Sequence, residues 1–94
     1  MESVEKKNWI YEYEYYDMLI EFSRSVFAAY FRLPLNFPNH PDTEKWAIEQ
    51  QKWETYFRNV DNLNCETEEE VLAEFEKIRN AHKQADIIYE NLKK

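Results

Sequence analysis

The chain has 94 residues, enough for one compact domain, and it contains no glycine, three prolines and one cysteine. Without glycine it cannot form a phosphate-cradling loop, a dinucleotide-binding fingerprint or a nucleophile elbow, because each requires backbone that turns sharply or approaches a ligand closely. With 12 Lys and Arg against 19 Asp and Glu, the formal net charge is −7, which argues against direct binding to nucleic acid or to an anionic membrane. We expect no cofactor.

Cysteine usage and apolar runs indicate the compartment. Cys65 is the single cysteine, so this chain cannot form an internal disulfide and is not a secreted disulfide scaffold. Lys6 and Lys7 are followed by polar and acidic residues, which leaves no apolar stretch of the signal-peptide kind. The apolar run at 26–31 is far shorter than the roughly 20 residues that cross a membrane. We therefore expect a cytoplasmic protein with no membrane partner.

The first periodic segment, at about residues 4–32, predicts a long helix with Ser3 as its N-cap. Its apolar residues form two adjacent rows: Tyr11, Tyr15, Met18, Phe22, Val26, Ala29 and Leu33, and then Trp9, Tyr13, Tyr16, Ile20, Phe27 and Tyr30. A helix that is apolar around most of its girth is buried on several sides or forms an oligomer interface. Tyrosine and glutamate alternate at 11–15 with the period of a strand, so extended backbone at 9–16 is the alternative there.

Three prolines within residues 34–41 are expected to end this helix, because proline lacks an N–H group and disfavours helical geometry in the preceding residue. The segment 33–42 is not polar, however. We predict an ordered, extended crossover in which Leu33, Leu35 and Phe37 pack against the helices.

The His-Pro-Asp tripeptide at 40–42 follows a helix with an Ala-Tyr pair, and this stretch resembles part of a J-domain cochaperone. In that family the helix before the loop is continuous and basic, and the loop stimulates the chaperone partner. Here Pro34 and Pro38 interrupt the helix, and Arg32 is its only nearby base. We interpret the tripeptide as a rigid turn that leads into the second helix, and we assign no family.

A second helix is predicted over residues 44–59, with Asp42 or Thr43 as its cap. Its apolar residues form one stripe: Trp46, Trp53, Tyr56, Phe57 and Val60. Asparagines at 59, 62 and 64 form the next break, where we expect them to adopt the left-handed conformations that glycine usually supplies.

Thr67 and Glu70 are spaced as a capping box and begin a third helix that runs to about Leu92. Its apolar seam contains Val71, Phe75, Ile78, His82, Ala85, Tyr89 and Leu92. Together these segments predict an all-α fold as one domain over residues 1–94. We expect a three-helix bundle with a long first helix and a proline-rich crossover between helices 1 and 2.

The titratable residues form no recognisable catalytic or metal-binding pattern. There are two histidines, and neither has a glutamate three residues before it, as a di-iron helical bundle requires. We expect no metal and no enzymatic activity. His82 is predicted to be a hydrogen-bonded residue at the core boundary, and Cys65 an inert, partly buried thiol.

Surface residues carry the functional hypothesis. Nine of the sixteen aromatic residues precede position 33, and they form either an aromatic core or an exposed contact face. We predict a small acidic, non-enzymatic interaction module or inhibitor, suited to a phage or accessory genome. It would bind a protein partner with a basic surface and form a homodimer. The predicted apolar contact face is Tyr11, Tyr15, Met18 and Phe22, and its acidic neighbours are Glu14, Asp17 and Glu21.

Two alternative functions follow from the same residues. Acidic rows at 12–21 and 66–76 would imitate a phosphate backbone and block a DNA- or RNA-binding protein. In the second alternative, the protein is a structural helical homo-oligomer with no separate ligand. Helix capping and the helix dipole already account for the acids at 68–70, which favours the interaction module over the mimic.

Overall fold

The structure is a computed structural model that describes residues 7–94. Helix α1 spans Tyr15–Asn36, α2 spans Thr43–Arg58 and α3 spans Glu68–Lys93, while short 3₁₀ helices occupy Trp9–Tyr11 and Val60–Asn62. Helix α1 contacts both other helices, and residues 7–94 contain no strand. The predicted all-α three-helix bundle is confirmed.

The three helices run up, down and up. Helix α2 is antiparallel to α1, so that Gln50 near its middle reaches Tyr30 and its last turn packs on Phe27. Helix α3 is parallel to α1: Phe75 contacts the beginning of α1, and Asp86 contacts the region near its end. This order places α1 between its two partners and gives it a separate line of contact with each.

One core is shared by the three helices and both 3₁₀ helices. Its buried members are Ile10, Leu19, Val26, Ala29, Tyr30, Leu33, Trp46, Trp53, Val60, Cys65, Val71, Ile78 and Ala85. The two tryptophans of α2 are seven residues apart, which places them on one face of the helix. Because they are large, a short helix buries enough apolar surface to hold its place against α1.

The beginning of the chain differs from the predicted long helix. Residues 9–11 form a 3₁₀ helix, and α1 begins at Tyr15 rather than near residue 4. Neither a regular α-helix nor the alternative strand forms at 9–14. The predicted cap Ser3 lies outside the described residues, as does the predicted first helical residue, Val4.

Asn8 explains why the chain leaves the helical path here. Its side chain donates to the carbonyl of Leu63 at 2.8 Å and accepts the N–H of Cys65 at 3.0 Å. The same oxygen accepts the N–H of Ile10 at 3.3 Å, and the N–H of Trp9 donates to the carbonyl of Cys65 at 2.8 Å. These bonds hold residues 8–10 against the segment that precedes α3, which a continuous helix would not allow.

Tyr13 makes the turn from the 3₁₀ helix into α1. Its φ is +56°, and it is the one residue of 7–94 in the left-handed region. The prediction that asparagines would supply such conformations is wrong: Asn59, for example, has φ −125°. A bulky residue in this region costs about 1–2 kcal/mol, and the buried side chain of Ile10 on one side and α1 on the other hold it there.

Helix α1 also continues further than its prolines suggested. It includes Pro34 and ends at Asn36. The missing N–H of Pro34 would have bonded to the carbonyl of Tyr30, four residues earlier. Gln50 of α2 donates its side-chain N–H to that oxygen at 3.3 Å, so a tertiary contact replaces the lost backbone bond.

The crossover that follows is shorter than predicted, at residues 37–42. Leu33 is fully buried and Phe37 packs edge-on against Tyr89, but Leu35 is 68% exposed, so its predicted packing is wrong. Leu35 lies in the last turn of α1, beyond the predicted end of that helix, and its side chain faces solvent rather than α2 or α3.

The remaining boundaries agree closely with the sequence pattern. Helix α2 begins one residue early, and His40 Nδ1 accepts the N–H of Asp42 at 3.0 Å in the turn before it. Asp42 occupies the N-cap position without a side-chain cap bond. The capping box of α3 is complete, because Thr67 accepts the N–H of Glu70 and the carboxylate of Glu70 accepts the N–H of Thr67, both at 3.2 Å.

We expect Gln50→Ala to lower the free energy of unfolding by about 1 kcal/mol, because the carbonyl of Tyr30 loses its donor. In a Pro34→Ala background the restored backbone N–H serves that carbonyl, so the same substitution should cost much less. Urea denaturation of the four proteins in this double-mutant cycle measures the difference. Equal costs in the two backgrounds would show that Gln50 does not replace the missing bond.

We expect Tyr13→Gly to raise the free energy of unfolding by about 0.5–1 kcal/mol. Glycine relieves the left-handed strain, but it loses more backbone entropy on folding than tyrosine does, and this loss offsets part of the gain. Glu14→Gly is the matched control, because Glu14 is exposed and has negative φ; it should be neutral or destabilising. A stability loss at Tyr13 as large as that at Glu14 would contradict the strain argument.

Candidate functional site

Helices α1 and α3 enclose an open groove of about 860 Å³. We call it the α1–α3 groove, and its apolar lining consists of Tyr15, Met18 and Phe22 from α1 with Leu72, Phe75 and Ile78 from α3. The groove forms because the core lies behind the two helices and the described chain places no third element in front of them. What remains is an apolar channel between parallel helices.

Phe75 is the centre of the groove floor. Its ring meets that of Tyr15 edge-on with 5.7 Å between centroids, and that of Phe22 with 5.9 Å. Phe22 keeps 40% of its surface exposed and Leu72 keeps 50%. Contiguous exposed aromatic and aliphatic surface of this kind is typical of a binding surface.

The structure brings together three of the four residues predicted as an apolar contact face. Tyr15, Met18 and Phe22 follow one another along the groove. Tyr11 does not join them, because the helix is interrupted between residues 11 and 15; it stacks on Tyr16 at 5.4 Å and remains 55% exposed. The predicted row of apolar residues is therefore continuous within α1 and is interrupted before the helix begins.

The three predicted acidic neighbours lie on the outer side of α1, and we call them the α1 rim. Glu14, Asp17 and Glu21 are exposed and make no ion pair with any residue of 7–94. Successive helical residues are rotated by about 100°, so Glu14 and Glu21 lie within about 60° of Met18, and Asp17 lies further round. The α1 side of the groove is therefore flanked by these carboxylates, which stand outside its lining, with Arg24 further along the same helical face.

The opposite edge, the α3 rim, consists of Glu76, Arg79 and Lys83. Arg79 forms an ion pair with Glu76, whereas Lys83 is exposed and makes no ion pair with the described residues. The two edges of the groove therefore differ in charge: three unpaired acids face one paired and one unpaired base.

His82 and Asp86 close one end of the groove. His82 is half-buried, and its Nδ1 lies 3.1 Å from a carboxylate oxygen of Asp86. Arg32 reaches the other oxygen of that carboxylate at 3.4 Å and lies over the ring of Tyr89, 3.7 Å from its centroid. His82 therefore lies at the boundary of the core, beside the carboxylate of Asp86.

Sequence reasoning missed the α3 side of the groove. Phe75 was predicted to lie in a seam that faces inward, and Leu72, Arg79 and Lys83 were not predicted as site residues. A signal was present, since Leu72, Phe75 and Arg79 recur at steps of three and four along one flank of that seam. The sequence does not say which flank of that seam the first helix leaves uncovered.

The second acidic row has structural tasks. Glu68 accepts the hydroxyl of Tyr15 at 2.9 Å, and Glu70 completes the capping box. Glu74 accepts the hydroxyl of Tyr56 at 2.7 Å and pairs with Lys77 at 3.0 Å. Burial, together with this bond to Glu74, raises the pKa of Tyr56 far above its usual value. These carboxylates hold α3 against its neighbours.

The described residues show no arrangement for metal chemistry. Within 7–94 no cluster of three or more His, Cys, Asp or Glu side chains is placed to hold a metal ion. The thiol of Cys65 is buried, and burial raises its pKa, with the charges of Glu74 and Glu70 acting in the same direction. A raised pKa lowers the thiolate fraction, which makes this cysteine a poor nucleophile.

Two wider searches bear on identity and setting. None of the helices in the described part of the chain combines the length and apolarity needed to cross a bilayer. Comparison with protein-family models, curated protein sequences and solved structures gave no match.

The Tyr15–Glu68 bond joins the first turns of α1 and α3, and it raises the pKa of Tyr15 because a carboxylate favours the protonated phenol. With its folded pKa raised, Tyr15 stabilises the fold below its unfolded pKa of about 10, and this contribution is lost as the pH rises further. We expect Glu68→Gln to lower the pKa of Tyr15, as measured by ¹³C NMR titration of its ring.

Glu69→Gln is the matched control, since Glu69 is exposed in the same helical turn and does not contact Tyr15. It should leave the titration of Tyr15 nearly unchanged. Equal effects of the two substitutions would assign the shift to the general acidity of the turn rather than to the hydrogen bond.

Proposed function

We propose that this protein is a non-enzymatic protein–protein interaction module or inhibitor that binds its partner in the α1–α3 groove. The observation that carries the proposal is the exposure of Phe22 and Leu72 around Phe75 in an open groove. Exposed large apolar side chains that line one concavity are costly for a free protein and useful at an interface. The buried free thiol suits a reducing compartment such as the cytoplasm.

The charge of the chain points to a partner with a basic surface. The formal net charge is −7, and three of the carboxylates behind it form the α1 rim, which flanks the apolar lining and makes no ion pair with residues 7–94. Complementary charge around an apolar centre speeds association and selects against acidic competitors. This arrangement favours a protein partner over nucleic acid.

The nucleic-acid mimic is less well supported. Glu68, Glu70, Glu74 and Glu76 of the second acidic row bind other residues of the chain. Only the α1 rim keeps a row of unengaged carboxylates, which is too short to follow a phosphate backbone over more than one face.

A homodimer is the second candidate, favoured by a separate observation. Phe31 is 47% exposed and Leu35 is 68% exposed, and they lie one turn apart on α1 outside the groove. Such a pair would be covered in a dimer. Light scattering tests this candidate: a mass near the 11.6 kDa of one chain at micromolar concentration would exclude it.

We expect Phe22→Ser combined with Leu72→Ser to abolish capture of the partner from an extract of the source cell, without unfolding the protein, because neither side chain belongs to the buried core and they are 40% and 50% exposed. Phe31→Ser combined with Leu35→Ser is the matched control, which removes similar apolar surface outside the groove. Quantitative mass spectrometry of the captured proteins provides the measurement, with circular dichroism as the check on folding.

The groove proposal stands only if one protein is captured by the wild type and by the control variant and is lost with the groove variant. Retention of every captured protein by the groove variant would contradict it. Loss with the control variant alone would move the interface to the Phe31–Leu35 surface.

A further inference from the structure

Resting on the proposed function, we infer that the α1–α3 groove binds one amphipathic α-helix of the partner protein, about 15 residues long, with a basic flank along the α1 rim. This helix would lie between α1 and α3 as a fourth helix of the bundle. Three properties of the groove carry the inference: its length, the chemistry of its walls and the unequal charge of its two edges.

The length of the groove matches a short helix. On α3 its lining extends from Leu72 to Asp86, which corresponds to about 21 Å at 1.5 Å per residue. A partner helix of about 15 residues, or four turns, covers this distance. Apolar residues at steps of three and four on such a helix would meet the apolar pairs of the two walls. These pairs are Met18 and Phe22, four residues apart on α1, and Leu72 and Phe75, three residues apart on α3.

The walls select a helix over an extended peptide. Both walls are α-helices, so their backbone N–H and C=O groups are already bonded within the helices. A strand laid in the groove would find no backbone partners and would leave its own groups unsatisfied at an apolar surface. A helix satisfies its backbone internally and needs only side-chain contacts.

The edges select the charge of the partner helix and its direction. Glu14, Asp17 and Glu21 favour lysine or arginine along one flank of the bound helix. Lys83 on the opposite edge is unpaired and favours an acidic or polar flank there. Because turning a helix end over end exchanges its flanks, a partner with one basic and one acidic flank fits in one direction only.

A second copy of this chain fits the groove less well. Each copy carries a formal net charge of −7, so two copies repel one another. A two-fold arrangement that stacks α1 on α1 would also bring the two α1 rims together. The charge complementarity therefore favours a different, basic protein.

The probe is a synthetic peptide of about 15 residues, with leucine at the apolar positions, lysine along one flank, glutamate along the other and a spin label at its N-terminus. We expect ¹⁵N NMR shifts at Met18, Phe22 and Leu72, and paramagnetic broadening at one end of the groove only. Fluorescence polarisation with a dye-labelled copy gives the dissociation constant.

Matched charge variants separate the α1 rim from the overall acidity. Glu14→Gln, Asp17→Asn and Glu21→Gln together should weaken binding about tenfold, since each exposed pair contributes modestly. The control carries Glu44→Gln, Glu54→Gln and Asp61→Asn, which changes the net charge equally at sites on α2 and on the second 3₁₀ helix, neither of which forms the groove. It should change the dissociation constant by less than about twofold at a salt concentration that screens long-range electrostatic attraction.

Two peptide controls test the helix itself. A central proline should abolish binding, because it breaks the helix, and glutamate on both flanks should weaken binding strongly. Equal loss with the two charge variants, undiminished binding of the proline peptide, or NMR shifts outside the groove would each overturn the inference. So would a dimer, detected by light scattering, that the Phe22→Ser and Leu72→Ser variant converts to a monomer.

Failure here is distinguishable from failure of the proposed function. If the partner from the cell extract is lost with Phe22→Ser and Leu72→Ser but the helical peptide does not bind, the groove is an interface for a different shape. If neither the partner nor the peptide depends on the groove residues, both proposals are wrong.

Discussion

The side chain of Asn8 is the contact on which the groove depends. It joins the beginning of the described chain to Leu63 and Cys65, more than fifty residues later, with bonds that imitate backbone pairing. These bonds hold the segment before α3 beside the 3₁₀ helix before α1. The two helices therefore begin side by side and run parallel, which gives the groove two continuous walls.

A chain without glycine has to make its sharp turns with other residues, and this one concentrates the cost at Tyr13. The left-handed conformation there is held by Ile10, which is buried, and by the first turn of α1. Breaking the helix at this point removes Tyr11 from the apolar row and leaves Tyr15 as the first residue of the groove. Local strain thus sets where the candidate site begins.

The carboxylates divide into two functional groups although they look alike in the sequence. Glu68, Glu70, Glu74 and Glu76 cap α3, accept hydrogen bonds from tyrosine hydroxyls or pair with neighbouring bases. Those of the α1 rim remain exposed and unpaired beside an apolar surface. Only the second group is free to contact a partner. The position of these carboxylates beside the groove therefore says more about the charge of a partner than the net charge of −7 does.

Local sequence patterns were sufficient to predict the helical class, the capping box at Thr67 and Glu70, the tryptophan stripe of α2 and the apolar row on the α1 side of the groove. These follow from local periodicity and from capping chemistry, which depend on residues within one or two turns. Helix α2 and helix α3 consequently begin and end close to their predicted positions.

The two ends of α1 and the α3 side of the groove depend on contacts between distant parts of the chain. The bonds of Asn8 and the donation from Gln50 to Tyr30 join residues that lie far apart in the chain, so no local pattern contains them. Likewise, Leu72 is exposed because α1 covers the other flank of the α3 seam. Periodicity gives the apolar faces of each helix, whereas the packing of one helix on another decides which part of a face stays open to a partner.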